Sequence, residues 1–117
     1  MSLFAHGKFE SHSGLTLPWK IDCDALTDDD LRVLAAEIAT RIKFGQVVGV
    51  PRGGLRLAYM LEYYITTRHP VTLIIDDVLT TGQSMEQFRA GKEAIGVVIF
   101  ARGPCPPWVK PIFTLWS

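Results

Sequence analysis

Apolar residues fall along this chain in two alternating kinds of run. Leu31, Leu34, Ile38 and Ile42 recur at helical spacing, and Leu57, Ala58, Leu61 and Ile65 do so again. Steps of three and four residues put such positions on one face of an amphipathic helix. Between and after these runs stand short apolar stretches, Val47–Val50, Val71–Ile75 and Ile95–Ala101. Apolar runs of strand length without polar alternation predict strands covered on both faces, the habit of a parallel sheet. A third, short helix carries Met85 and Phe88. Helices alternating with such strands predict an α/β fold of three layers, α/β/α, around a short parallel sheet.

Polar residues, glycines and prolines punctuate this pattern. Thr27-Asp28-Asp29-Asp30 opens the first helix: Thr27 is a good N-cap, Asp30 stands three residues on, and acids in the first turn suit the helix dipole. Gly45 is the expected stop. Pro51-Arg52-Gly53-Gly54 breaks the chain after the first strand, Pro70 resets it, and Asp76–Gly82 reads as a loop. Residues 1–26 have no helical period. There Phe9, Trp19 and Ile21 sit among Gly14 and Pro18, which predicts an irregular strand pair or flap. Arg102–Trp108 is too rich in proline for regular structure, and Ile112–Trp116 reads as a last edge strand. The expectation is a single domain over 1–117, with a flap at 1–26, an α/β core at 27–102 and a tail at 103–117.

Composition narrows the function classes. Lys+Arg and Asp+Glu both number 12, for a net charge of +0. That argues against a nucleic-acid binder. No apolar run approaches the roughly 20 residues of a membrane span, and the N-terminus lacks the pattern of a signal peptide, so a cytoplasmic protein is expected. Cys23 and Cys105 lie far apart, and His6, His12 and His69 are scattered. This is the pattern of isolated thiols in a reducing compartment, not of a metal cluster.

In parallel sheets ligands gather at the carboxyl ends of strands, and two strands here end in unusual segments. The stronger is Leu73-Ile74-Ile75-Asp76-Asp77-Val78-Leu79-Thr80-Thr81-Gly82-Gln83-Ser84. Adjacent carboxylates at the end of a buried strand repel and need donors or a cation. A vicinal diol supplies donors. The small hydroxylated residues and glycine that follow, at a helix start, offer an anion cradle. Together they describe a ribose-5-phosphate site. Two rival readings lack their motifs, since neither G-x-x-x-x-G-K-[ST] nor G-x-G-x-x-G occurs. The second segment is Val50-Pro51-Arg52-Gly53-Gly54. Its glycines admit close approach of a ligand, and Arg52 supplies a planar cation that matches phosphate oxygens. Two anion loops at one sheet edge suggest a ligand with phosphate at one end and pyrophosphate at the other.

With these residues the sequence resembles the type I phosphoribosyltransferases. Leu73–Ser84 matches their apolar strand, two acids and Thr-Thr-Gly turn, and Val47–Ala58, VVGVPRGGLRLA, is similar to their pyrophosphate loop and following helix. Phe9–Asp22, FESHSGLTLPWKID, is similar to the start of orotate phosphoribosyltransferases, the subgroup the chain resembles best. The resemblance implies that Asp76 and Asp77 hold the 2′- and 3′-hydroxyls of phosphoribosyl pyrophosphate. Thr80, Thr81, Gly82, Gln83 and Ser84 would hold its 5′-phosphate, and Arg52, Gly53 and Gly54 its pyrophosphate. Asp76, Asp77 and Arg52 are the implied catalytic residues. Mg²⁺ would arrive with the substrate, Asp76 and Asp77 being the chain's candidate contacts to it. The implied reaction transfers phosphoribose to a nucleobase and releases pyrophosphate, in a homodimer. His12, Trp19, Lys20 and Arg102 are the candidates for the base end.

The chain also departs from that pattern. Leu55–Pro70 spans only 16 residues, which a helix nearly fills, so the family's mobile catalytic loop and its strands have no room there. His12 stands where orotate enzymes have a lysine before Ser-Gly, and Lys20 and Ile21 replace stacking aromatics. Trp19 fits a base-stacking ring and a core tryptophan equally. Arg102 fits a partner for a base carbonyl or carboxylate and a solvated loop residue equally. Beside the transferase stand a non-catalytic regulatory module that keeps the sugar-phosphate site, and a hydrolase of ribose phosphates.

Overall fold

The computed structural model describes residues 2–10 and 16–114. The first helix, α1 (Asp28–Arg41), begins as the capping residues dictate. Thr27 Oγ1 accepts from the Asp30 N–H at 3.1 Å, and the Thr27 N–H donates to Asp30 Oδ2 at 2.9 Å. Leu31, Ala35 and Ile38 turn inward. The helix stops before the expected glycine, because Ile42 already adopts an extended backbone. Gly45 has another task. The chain passes the His69 backbone so closely there that a Cβ would collide with the His69 carbonyl oxygen.

The second helix, α2 (Leu55–Leu61), buries Leu57, Ala58 and Leu61. It tightens into a 3-10 turn at Glu62–Tyr64. Three residues per turn break the 3.6 period, so Ile65, expected on the buried face, is 39% exposed. Arg56 ties α2 to the start of α1, donating to the Leu26 carbonyl at 3.0 Å and to Asp28 Oδ1 at 3.1 Å.

Two sheets form. The strands β1 (Phe4–Glu10) and β2 (Thr16–Ile21) pair antiparallel with an irregularity between His6 and Phe9, which agrees with the irregular pair expected at 1–26. The main sheet runs β3 (Gln46–Gly49), β4 (Thr72–Leu79), β5 (Ala94–Ala101), β6 (Val109–Thr114) in that spatial order, all parallel. Residues 115–117, with the expected strand end at Trp116, lie outside the described residues. β4 is longer than its apolar run. Its ladder with β5 continues from Thr72↔Ala94 to Leu79↔Ala101, which places Asp76 and Asp77 within the strand instead of in a loop.

Successive residues of the central strands face opposite layers. Leu73, Ile75, Val97 and Ile99 pack with α1 and α2. Ile74 and Val98 face the other way, with Met85 of α3 (Gln83–Arg89), Trp108 and Val109. Gly96 lets this second layer close: a Cβ there would stand 2.9 Å from both Met85 Cε and Trp108 Cζ3. Trp108 therefore packs beneath the sheet, with the Arg89 guanidinium carbon 4.5 Å from its ring centroid. Of the two apolar residues that the third helix carries, Met85 is buried and Phe88 is 40% exposed. Three layers around a parallel sheet are the architecture the patterning predicts. No helix among the described residues is long and apolar enough to cross a membrane.

Candidate functional site

The parallel strands β3 and β4 are neighbours, so the segments leaving their carboxyl ends emerge side by side. A cleft of about 1070 Å³ opens there. Arg52 and Gly53 line it from the turn after β3. Asp76 and Asp77 line it from the end of β4, and Thr80, Thr81, Gly82, Gln83 and Ser84 from the turn into α3. Two segments more than twenty residues apart in sequence thus share one cavity.

The joint between them is the contact of Gly53 with Asp77. A Cβ on Gly53 would fall onto the Asp77 carboxylate, so only glycine lets the first turn lie against the acid. Gly54 behaves differently from the expectation. It is buried, starts α2 and sits against the Ile75 carbonyl, where a Cβ would collide with backbone. It is absent from the cleft lining; its place is to let α2 approach β4. The Pro51–Arg52 peptide is cis, and Arg52 is exposed at the rim.

The two acids are half-buried and partly satisfied by the strand itself. The Asp77 N–H donates to Asp76 Oδ1 at 2.8 Å, and the Val78 N–H to Asp77 Oδ1 at 2.8 Å. These bonds orient the carboxylates but do not offset their repulsion. Burial, then a hydrogen bond with Asp77 and the negative charge of Asp77, raise Asp76 from 3.8 to about 7. A ligand that donates hydrogen bonds to both carboxylates removes this penalty.

The turn that follows is set by Gly82, whose φ of 80° is left-handed and suits glycine. It begins α3, and the Gln83 N–H reaches Thr81 Oγ1 at 3.4 Å. Hydroxyls and the start of a helix thus face the cleft beside the acid pair.

Lys20 and Arg102 also line the cleft. Arg102 is not the solvated loop residue that its position allowed. Its Nη1 donates to the Trp19 carbonyl at 3.1 Å, and its guanidinium carbon lies 3.7 Å from the Trp19 ring centroid. Burial lowers its pKa from the ordinary value. Trp19 itself does not line the cleft; it faces Phe4 on β1 at 6.1 Å between centroids. His12 lies outside the described residues.

Sequence reasoning missed one wall. Asp22, Cys23 and Asp24, where β2 passes into a 3-10 turn, also line the cleft. Only the acids flanking the thiol signalled this, and that signal is weak. Cys23 is buried, and burial first, then the charges of Asp77, Asp22, Asp24 and Asp76, push its thiol up to about 12. Among the described residues no three His, Cys, Asp or Glu side chains form a group that could hold a metal ion.

No family profile matches the sequence, and no curated protein matches it. Solved structures do match. The orotate phosphoribosyltransferase of Aeropyrum pernix superposes with a TM-score of 0.73 at 21% identity, over 97% of this chain and 89% of that one. The UMP synthase of Leishmania donovani also gives a TM-score of 0.73, at 19% identity over 97% of this chain. This chain has the type I phosphoribosyltransferase fold. It spans about a third, 34%, of the Leishmania chain. A Neisseria gonorrhoeae hypothetical protein, solved with bound ppGpp, superposes with a TM-score of 0.54 at 16% identity, over 78% of this chain and 83% of that one.

Proposed function

We propose that the cleft binds phosphoribosyl pyrophosphate and that the protein transfers its phosphoribosyl group to a nucleobase, releasing pyrophosphate. One observation carries the reading: the acid pair, the hydroxyl-rich turn and the Arg52–Gly53 turn converge on a single cleft. Asp76 and Asp77 accept hydrogen bonds from the 2′- and 3′-hydroxyls. The Thr80–Ser84 turn holds the 5′-phosphate, and Arg52 faces the diphosphate. As the bond from C1′ to the leaving oxygen stretches, positive charge grows on the ribose, and the acid pair stabilises it. A ring nitrogen of the base then takes C1′, and no side-chain nucleophile is required.

Mg²⁺ fits this arrangement as a passenger of the substrate. Diphosphate oxygens and carboxylates are the hard donors it takes, and Asp76 and Asp77 are the chain's own contribution. When bound, the ion would neutralise charge on the leaving pyrophosphate. The chain's part is to place the ribose and hold the two anionic ends apart.

A homodimer belongs to the same proposal. Leu55 and Tyr59, one turn apart on α2, continue into Tyr63, and the three are 47%, 75% and 88% exposed.

A second reading is a regulatory module that binds a nucleotide carrying a diphosphate and catalyses nothing. Two observations favour it. α2 and its 3-10 turn take up 10 of the 22 residues that link β3 to β4, and only seven, 65–71, follow them before β4, too few for a long covering loop. The Neisseria gonorrhoeae neighbour was solved with ppGpp.

Calorimetry with phosphoribosyl pyrophosphate and Mg²⁺, followed by a base screen for pyrophosphate release, tests both readings. Binding with release supports the transferase. Tight binding without release for any base supports the module, and no binding by the wild type removes the transferase. The double variant Asp76→Asn/Asp77→Asn is expected to lose binding.

A further inference from the structure

The β1–β2 pair forms a sheet of its own, so something other than a strand ladder must hold it to the core. Arg102 is placed to do so. Its backbone N–H donates to the Leu79 carbonyl at 2.9 Å, which fixes its Cα at the end of β4, next to the Thr80–Ser84 turn. Its side chain runs to β2, where one guanidinium nitrogen bonds the Trp19 carbonyl and the group as a whole covers the Trp19 ring. Trp19 packs in turn on Phe4 of β1, so the contact reaches both strands. The next residue after Trp19 is Lys20, a wall of the cleft.

We propose that Arg102 is a positioning residue that latches the β1–β2 pair against the cleft through Trp19 and thereby holds Lys20 at the cleft wall. A planar guanidinium can stack on an indole and donate sideways at the same time. A lysine ammonium keeps the charge but has no plane to stack. Hydrogen bonds from charged donors to half-buried acceptors are among the stronger ones. The effect on ligand affinity rests on the sugar-phosphate reading above; the effect on β1–β2 does not.

Amide hydrogen exchange on the full chain tests the latch. In Arg102→Ala, residues 4–7 and 19–21 are expected to exchange about tenfold faster while β3, β4 and β5 stay as in the wild type. Arg102→Lys should fall between the two. Phosphoribosyl pyrophosphate with Mg²⁺ should bind Arg102→Ala about tenfold more weakly, whereas inorganic phosphate, which needs only the Thr80–Ser84 turn, should bind unchanged. Unaltered exchange at 4–7 and 19–21 overturns the latch, and so does faster exchange spread evenly through the core. Should Arg102→Ala fail to fold, Trp19→Ala carries the same exchange test. Failure of the wild type to bind the substrate sinks the functional reading and leaves the exchange result to decide the latch.

Discussion

The α-carbon of Gly53 lies against the Asp77 carboxylate, in a space that no side chain could share. This contact joins the turn after β3 to the acid pair of β4, and it separates two glycines that look alike in sequence. In Gly53→Ala the obstructing group is a short side chain, hydrogen-bonded to the Val78 N–H and to Asp76. Asp77 can swing aside, so stability should fall by only about 1 kcal/mol, while binding of phosphoribosyl pyrophosphate should drop at least tenfold. In Gly54→Ala the obstruction is the Ile75 carbonyl of the sheet, which cannot move alone, and a loss of about 3 kcal/mol or more is expected. Denaturant melts and calorimetry on both variants check the contrast.

Asp76 should make stability depend on pH in the unusual direction. Its carboxyl is raised from 3.8 to about 7, chiefly by burial and then by Asp77. The folded protein therefore holds this proton more tightly than the unfolded chain. The resulting stabilisation is full below 3.8 and is lost as pH rises through about 7. Thermal melts should show Asp76→Asn gaining on the wild type across that interval and exceeding it at pH 8. A constant difference from pH 4 to pH 8 would refute the assignment.

Gly96 is a packing position away from the cleft. A methyl there would meet Met85, Trp108 and Val109 at 2.9–3.0 Å. Gly96→Ala should cost about 1–3 kcal/mol by crowding. A denaturant melt with an unchanged slope would measure it.

Cys23 borders the cleft but should behave as an inert thiol. Its pKa of about 12 leaves almost no thiolate at pH 8. In the native protein it should react with a thiol reagent more slowly than Cys105, which is less buried. Both should react fully in denaturant. Mass mapping of the labelled peptide after timed exposure distinguishes them.

Much of the architecture was legible in the residues. The Thr27–Asp30 capping box, the apolar face of α1 and the apolar runs of β3, β4 and β5 follow from local periodicity and capping, which depend on near neighbours. The end of β4 did not. Two acids resemble a loop by composition, yet the ladder to β5 carries them as strand, because backbone pairing does not depend on side-chain polarity. Gly45 and Gly54 were misread for a related reason. A glycine needed for a turn and one needed for close approach are identical in sequence, and only the partner backbone tells them apart.

The sequence by itself determined which chemistry the chain carries: an acid pair, a hydroxyl-rich turn and an arginine turn, each with its short-range geometry built in. The alternation of helices and apolar strands put both turns at one sheet edge; tertiary structure alone decided that they share one cleft there. Direct pairing of β3 with β4 sets the two carboxyl ends side by side, and a long-range register of this kind leaves no local mark. It also decided the state of Arg102. Its contact with Trp19 spans 83 positions of the chain, and such a contact exists only once the β1–β2 pair has come to rest beside the end of β5.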